Sequence, residues 1–196
     1  MTTDLYAQAR DAADRGEAAT ALDLIGRAYD TEPSDPAVRE LYAALHVAKG
    51  IRLGASAREA RRRDIVRRRL AVGEEFQDPV DVAGAFDEAL GMIDRALSAD
   101  PKNEKALIMK AAVLFRKDRE HLRPQALEIL RAIEVAHPEN RQIVHAIRKI
   151  ERPCEACSDT GFCAACGARG TRRRLRIESK CETCHGQGIC LRCGIV

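Results

Sequence analysis

The chain has few large side chains with which to build a core. Its 196 residues include no tryptophan, four phenylalanines and three tyrosines. Such a core must pack mainly through alanine, leucine and isoleucine, which favours closely packed helices. No apolar run approaches the roughly 18 residues of a membrane span, and the N-terminus lacks the apolar stretch of a signal peptide. These absences predict a soluble, cytoplasmic and mainly α-helical protein.

Cysteine is absent from the first 153 residues and then occurs eight times between Cys154 and Cys193. A reducing cytoplasm keeps such thiols available to metal ions, whereas disulfides belong mainly to oxidising compartments. The abrupt change in composition predicts two domains, a helical domain over 1–152 and a cysteine-rich module over 153–196.

The overall charge gives little support for a nucleic-acid partner. Residues 154–196 carry seven basic and four acidic side chains, or +3, while the rest of the chain carries 26 of each sign. Eight thiolates add −8 and two zinc ions add +4, so a metal-loaded module has a charge of −1. Only local clusters of arginine could favour nucleic acid.

One pattern of small and apolar residues recurs three times. An alanine is followed after four residues by isoleucine or leucine, after three more by alanine or isoleucine, and after five more by proline. The first two spacings place the side chains on one helical face, and the proline ends the helix. The instances are Ala21, Ile25, Ala28 and Pro33; Ala89, Ile93, Ala96 and Pro101; and Ala126, Leu130, Ile133 and Pro138.

The first and second instances are 68 residues apart, which is two periods of 34. The second and third are 37 residues apart, which is one period of 34 with three residues inserted. A helix–turn–helix unit of about 34 residues resembles the tetratricopeptide repeat. The resemblance implies helical hairpins near 2–35, 36–69, 70–103 and 104–140, stacked as a solenoid with a concave groove for a protein partner. An unrelated bundle of amphipathic helices is the alternative. A last helix that caps the stack is predicted from Ile143, Ile147 and Ile150.

The segment 52–69 departs from the repeat pattern and holds eight arginines, with Arg67 where the period would place proline. A strip of arginines is a candidate phosphate-binding surface for RNA or DNA. The other interpretation is a solvated helix, balanced by the seven acidic residues over 71–94. No aromatic residue lies among the arginines to stack on bases, which favours this second interpretation. The candidate contact residues are Arg61, Arg62, Arg63, Arg67, Arg68 and Arg69.

The eight cysteines form four C-x-x-C pairs. Two thiolates separated by two residues can turn onto one tetrahedral ion, and two such pairs complete four-coordinate zinc. Eight ligands therefore predict two zinc ions per chain, in closed sites with no open position for water or substrate. An iron–sulfur cluster is the main alternative. The pairs are Cys154 and Cys157, Cys163 and Cys166, Cys181 and Cys184, and Cys190 and Cys193.

The third pair belongs to the sequence Cys-Glu-Thr-Cys-His-Gly-Gln-Gly over 181–188, and the four pairs resemble the cysteine-rich zinc finger of DnaJ in compressed form. The resemblance implies a small β-hairpin module. Asp159 stands where the family has glycine, and Cys166 is followed by Gly-Ala-Arg-Gly. The hairpin tip would carry a second candidate contact set, for which a solvated surface is the other interpretation. This set is Arg172, Arg173, Arg174 and Arg176.

The resemblance also implies a nested grouping, in which the outer pairs share one ion and the inner pairs share the other. An internal repeat of 27 residues is equally compatible with two local sites. In a local site the five-residue spacer 158–162 would have to reverse the chain direction between two pairs, which makes nesting the expected grouping. The outer set is Cys154, Cys157, Cys190 and Cys193, and the inner set is Cys163, Cys166, Cys181 and Cys184.

Three functions are compatible with these features. The two resemblances together imply a non-catalytic adaptor or assembly chaperone that binds a protein partner or client. The alternatives are an RNA- or DNA-binding protein that uses the arginine clusters, and thiol–disulfide exchange, which would require loss of the metal. The sequence has no His-Pro-Asp tripeptide, no Gly-rich phosphate loop and no nucleophile elbow. We therefore expect no enzymatic activity and place the adaptor first.

Overall fold

A computed structural model describes residues 2–69, 77–175 and 177–192. These residues form seven α-helices, one antiparallel sheet of two strands and two short 3₁₀ turns, which confirms the mainly α-helical class. The helices and strands are α1 (Thr2–Asp14), α2 (Ala18–Thr31), α3 (Pro36–Arg68), α4 (Val80–Ala99), α5 (Glu104–Lys117), α6 (Arg123–Ala136), α7 (Arg141–Ile150), β1 (Thr171–Arg174) and β2 (Ile177–Lys180).

The helices pack on their neighbours along the chain. Every helix from α1 to α6 contacts the next one, and α3 also contacts α5. Three buried clusters follow the same order: the first joins α1, α2 and the start of α3, the second joins α3, α4 and α5, and the third joins α5, α6 and α7. The helical part is therefore a sequential stack closed by α7, the helix predicted to cap it.

The recurring pattern marks the same turn at three places. The helices α2, α4 and α6 each end two residues before the proline of the pattern. Two residues after that proline, an aspartate or asparagine side chain accepts hydrogen bonds from the first N–H groups of the next helix. The nine apolar residues of the pattern are at most 5% exposed. The three capping residues are Asp35, Asn103 and Asn140.

Residues 36–69 do not form the predicted helical hairpin. The single helix α3 runs through them for 33 residues, about 50 Å at 1.5 Å per residue. No proline follows Pro36 within α3, and its second half is rich in alanine and arginine, which are strong helix formers. The hairpin predicted over 70–103 also lacks its first helix where the structure describes it: 77–79 are not helical, and 70–76 lie outside the described residues.

The second half of α3 packs against α4 in place of that missing helix. Gly50 and Gly54 allow this contact to be close, because a Cβ atom at Gly50 would lie 2.7 Å from Cγ1 of Ile93 and 3.1 Å from the carbonyl oxygen of Ala89. At Gly54 the nearest atom would be Cγ2 of Val113, at 3.2 Å.

Among the described residues, no helix is both long and apolar enough to cross a membrane.

Replacing Gly50 with alanine tests this close contact against a matched control. Gly50→Ala should lower the free energy of unfolding by about 1–2 kcal/mol, because the cost of overpacking exceeds the gain in helix propensity. Gly91→Ala, in α4, should raise it by about 0.5–1 kcal/mol, because nothing lies within 4 Å of the added methyl. Urea unfolding followed by circular dichroism measures both changes, and a stabilised Gly50→Ala protein would contradict the described packing.

Candidate metal centre

The described cysteines gather into two clusters. Within each cluster every sulfur lies within 4.8 Å of the others, an arrangement that could hold a metal ion. The inner cluster is fully buried, and the outer cluster is buried except for the half-buried Cys154. The inner cluster contains Cys163, Cys166, Cys181 and Cys184, and the outer contains Cys154, Cys157 and Cys190. The predicted fourth outer ligand, Cys193, lies outside the described residues.

The sulfur separations match a tetrahedral thiolate site. An ion bound by four sulfurs at about 2.3 Å, the usual zinc–sulfur distance, has sulfur–sulfur edges of about 3.8 Å. The Sγ atoms of Cys166 and Cys184 are 3.8 Å apart, as are those of Cys154 and Cys190. These distances are far longer than the roughly 2.05 Å of a disulfide bond. The donor set and spacing therefore fit a metal such as zinc.

The chain passes through the clusters as a nested ribbon. Phe162 and Ile189 form an isolated antiparallel bridge between the outer and inner clusters, flanked by N–H to carbonyl bonds from Cys163 to Gly188 and from Cys190 to Gly161, each 3.0 Å long. Beyond the inner cluster the chain continues into β1 and returns along β2. The cysteines described thus have the expected nested grouping, and the local grouping is not found among them.

Each of the first three cysteine pairs begins an eight-residue segment, and these segments share one pattern of positive φ values. We call the segments 154–161, 163–170 and 181–188 the cysteine turns. In every cysteine turn the fifth, sixth and eighth residues have positive φ, which reverses the chain after the second cysteine. These residues are Ser158, Asp159 and Gly161; Gly167, Ala168 and Gly170; and His185, Gly186 and Gly188.

Two of the three cysteine turns keep this conformation without glycine at the sixth position. The third cysteine turn has glycine at its sixth position, where the first two have Asp159 and Ala168. Both residues adopt the left-handed conformation all the same, with φ of 61° and 63°. A residue with a Cβ costs about 1–2 kcal/mol there, so contacts of the side chain must compensate for it.

Backbone N–H groups also point at the sulfurs. Gly170 N–H donates to Sγ of Cys166 and Gly188 N–H to Sγ of Cys184, each at 3.3 Å. Such bonds favour the thiolate that a metal requires. The glycine at the eighth position leaves room for this approach, because a Cβ at Gly188 would lie 2.3 Å from the carbonyl oxygen of Ala168.

The free thiols of the inner cluster differ in acidity. Burial raises the pKa of Cys166 to about 12. Burial also acts to raise the pKa of Cys181, but hydrogen bonds from Cys184 and the Thr183 N–H outweigh it and lower that pKa to about 7. A metal ion must displace the protons that remain on such a cluster. The affinity of the inner cluster for a metal therefore falls as the pH falls.

The module is anchored to the helical part by a residue that sequence reasoning did not assign. Oδ1 of Asp159 accepts a 2.7 Å hydrogen bond from the backbone N–H of Cys154, and its other oxygen pairs with Arg123 of α6. Arg123 also donates to the carbonyl of Ile150 at the end of α7, at 2.6 Å. The only sequence signal for this role was an acidic residue at a glycine position. Asp159 thus links a metal ligand to two helices.

A second contact joins the module to α3. Ile65 packs in one buried cluster with Phe162 and Ala168, and Arg62 donates to the carbonyl of Ala168 at 2.9 Å. Arg62 also pairs with Glu59 at 2.6 Å. The strip of arginines considered as a candidate phosphate-binding surface is therefore partly used within the protein.

The other candidate arginines over 61–69 divide between the interior and the surface. Arg61 is 6% exposed, lies 4.5 Å over the ring of Phe86, and donates to Asp78 at 2.7 Å and to the carbonyl of Lys117 at 2.8 Å. Its burial makes it unsuitable as a phosphate contact. The carboxylate of Asp64 pairs with two further arginines, at 2.5 and 3.2 Å. The paired residues are Arg67 and Arg68, and the remaining two, Arg63 and Arg69, are exposed.

Three of the four hairpin arginines belong to β1. Arg172 and Arg173 are exposed, and Nε of Arg172 donates to the carbonyl of Ala165 at 2.8 Å. Arg174 is the last residue of β1, and Arg176 lies outside the described residues.

Removing the first cysteine pair tests the nested grouping. In Cys154→Ser/Cys157→Ser, bound metal should fall from two ions per chain to one, and two thiols, Cys190 and Cys193, should become reactive. The inner cysteines should stay protected because they keep their own ion. Elemental analysis and titration with a thiol reagent, followed by mapping of the labelled residues, measure both effects. Labelling of Cys163 and Cys166 instead would establish local sites.

Two adjacent glycine substitutions test the role of Asp159. Ser158→Gly should stabilise the module by about 1 kcal/mol, because it relieves the left-handed conformation of an exposed residue. Asp159→Gly gives the same relief but removes two charge-assisted hydrogen bonds, so a net loss of about 1–2 kcal/mol is expected. The measurement is the rate of metal transfer to a chromogenic chelator, slower in the first variant and faster in the second. Equal rates would show that Asp159 is not an anchor.

Comparison with family models, curated proteins and solved structures gave no match for this chain.

Proposed function

We propose that the chain is a non-catalytic, cytoplasmic protein-binding adaptor or assembly chaperone. In this proposal 1–152 is a tetratricopeptide-like array, and 153–196 is a DnaJ-like module with two zinc ions. The observation that carries it is the buried inner cluster, whose four converging thiols would fill the coordination of a tetrahedral ion. A metal with four protein ligands has no position for a substrate, so its contribution is to stabilise the binding surfaces around it.

The zinc ions would supply folding energy to a segment with very little core of its own. Most of the buried residues between 154 and 192 are the cysteines themselves, with Phe162 and Ala168 as the main additions. Joining four thiolates to one ion, which offsets half of their charge, and fixing their positions is what holds such a small module together. The inner ion would be held by Cys163, Cys166, Cys181 and Cys184, and the outer ion by Cys154, Cys157, Cys190 and Cys193.

The helical part supports the proposal by its sequential packing. Proteins built from stacked helical pairs present long surfaces, on which partners bind through side chains of several successive helices. The module contacts both α3 and α6, so it is held against this stack by the anchors at Arg62 and Arg123. A partner could therefore meet the helices and the module as one continuous surface.

The two alternatives have less support. A nucleic-acid site on α3 would need a row of available arginines, but Arg61 is buried and Arg62 is bonded to Glu59 and Ala168. Thiol–disulfide exchange needs a reactive thiolate, and metal coordination together with burial would withhold the inner thiols from an external disulfide.

Purification of the tagged full-length chain from its native cells tests the proposed function. Cross-linking before lysis, mass spectrometry for proteins and sequencing for RNA should recover a small set of proteins, with no loss after nuclease treatment. Recovery should fall in Cys181→Ser/Cys184→Ser, because the inner site is lost. Elemental analysis of the purified wild type should find two zinc ions per chain.

Two exposed arginines, Arg63 in α3 and Arg69 directly after it, provide the matched control. Arg63→Gln/Arg69→Gln should leave the recovered proteins unchanged, because these side chains lie on the surface outside the metal module. Recovery of RNA that this variant loses would favour the nucleic-acid alternative. Iron in place of zinc would contradict the proposed cofactor.

A further inference from the structure

The hairpin formed by β1 and β2 carries charge and apolar surface that the metal clusters do not use. Residues 171–180 contain five basic side chains and one acidic side chain, a net charge of +4. Two large apolar side chains are exposed on the same ten residues: Leu175 is 96% exposed and Ile177 is 71% exposed. Two exposed aliphatic groups that lie close together beside concentrated positive charge form a candidate contact surface.

Leu175 is the least expected residue of the hairpin. It follows Arg174 in the two-residue connection to Ile177, and its φ is +48°. The first position of a two-residue hairpin connection strongly prefers asparagine or glycine when its φ is positive. Leucine there is strained, and its side chain has almost no contact that would offset the strain. An outlier of this kind favours a role outside the folding of the chain itself.

The charged groups of the hairpin are partly fixed in place. The hydrogen bond from Nε of Arg172 to the carbonyl of Ala165 uses one of five guanidinium donors and holds this side chain beside the second cysteine turn, 163–170. Across the sheet, Arg173 pairs in register with Glu178, whose carboxylate accepts a 2.6 Å hydrogen bond from the Thr171 hydroxyl. The single carboxylate is thus shared, and the hairpin keeps an excess of positive charge.

We infer that this hairpin is the docking surface for an extended acidic segment of a protein partner that also carries aliphatic side chains. The inference rests on the proposed function and names the chemistry of the partner. Carboxylates of the segment complement the arginines, and its aliphatic groups cover Leu175 and Ile177. The sheet has two strands, so in the described part of the chain each strand keeps one edge to which an extended segment can add.

Nucleic acid and lipid fit this surface less well. Single-stranded nucleic acid binds by stacking bases on aromatic side chains, and no aromatic residue follows Phe162 in the sequence. A membrane would bury the two aliphatic groups, but its hydrocarbon core offers no hydrogen bonds to the strand edges. An acidic protein segment uses the charge, the aliphatic groups and the edges together.

The test uses Leu175→Asn/Ile177→Thr in the zinc-loaded full-length chain. Asparagine accepts positive φ and threonine suits a strand, so the variant should keep its fold and its two metal ions. The probe is a synthetic twelve-residue peptide of alternating glutamate and leucine. Binding to the wild type, measured by fluorescence anisotropy, should be at least about tenfold tighter than to the variant. Val135→Gln, which removes an 84% exposed apolar residue from α6, is the matched control and should bind as the wild type does.

Further probes separate the possible failures. A lysine–leucine peptide should not bind, and a glutamate–serine peptide should bind more weakly than the glutamate–leucine peptide. Equal binding of the glutamate–leucine peptide to wild type and variant would overturn the hairpin as its site while leaving the adaptor function intact. Absence of peptide binding, with oligouridylate or phosphatidylserine vesicles bound in a Leu175-dependent way, would overturn the partner class. The adaptor function itself fails only if no protein is recovered from native cells.

Discussion

The module depends on a backbone that turns back on itself after each of the three cysteine pairs whose turns the structure describes. Two sulfurs can face one ion only if the residues behind them take left-handed conformations, and three cysteine turns repeat this at the same positions. Glycine meets the demand without strain. Where Asp159 takes its place, the side chain binds the N–H of Cys154 and reaches Arg123. A residue whose conformation the metal site requires thus also connects the module to α6 through Arg123, and Arg123 connects it to α7 through the carbonyl of Ile150.

Arginine has a structural use throughout this protein. Several arginines donate to carbonyl groups at the C-terminal ends of neighbouring helices, which have no partner within their own helix. Arg39 bonds to Ala99 at the end of α4, Arg61 to Lys117 at the end of α5, and Arg123 to Ile150 at the end of α7. A guanidinium has enough donors to bind such a carbonyl and a carboxylate together. The high arginine content therefore reflects helix-to-helix connections as much as surface charge.

Sequence reasoning succeeded where the pattern is local and repeated. The proline of each repeat ends a helix, and the spacing before it places Ala21, Ile25 and their equivalents in the core. The length of the loop between pairs favoured the nested grouping that the DnaJ resemblance implied, and the seven described cysteines have that grouping. The helical repeat gave a wrong prediction over 36–69, because its fixed period placed a turn where no residue interrupts the helix. The roles of Arg61, Arg123 and Asp159 depend on partners distant in the chain, which composition and periodicity do not reveal.

The uninterrupted length of α3 gives the molecule a mechanical property. Its first turn belongs to the cluster of α1 and α2 through Val38, and its last turns pack on Phe162 of the metal module through Ile65. A stiff rod of about 50 Å that pivots near its middle converts a rotation of about 5° into a displacement of about 2 Å at each end. The middle of this rod lies near Gly50 and Gly54, where the absence of a Cβ lets α3 pack closely on Ile93 and Val113. A tilt about this point would move the N-terminal helices and the metal module in opposite directions.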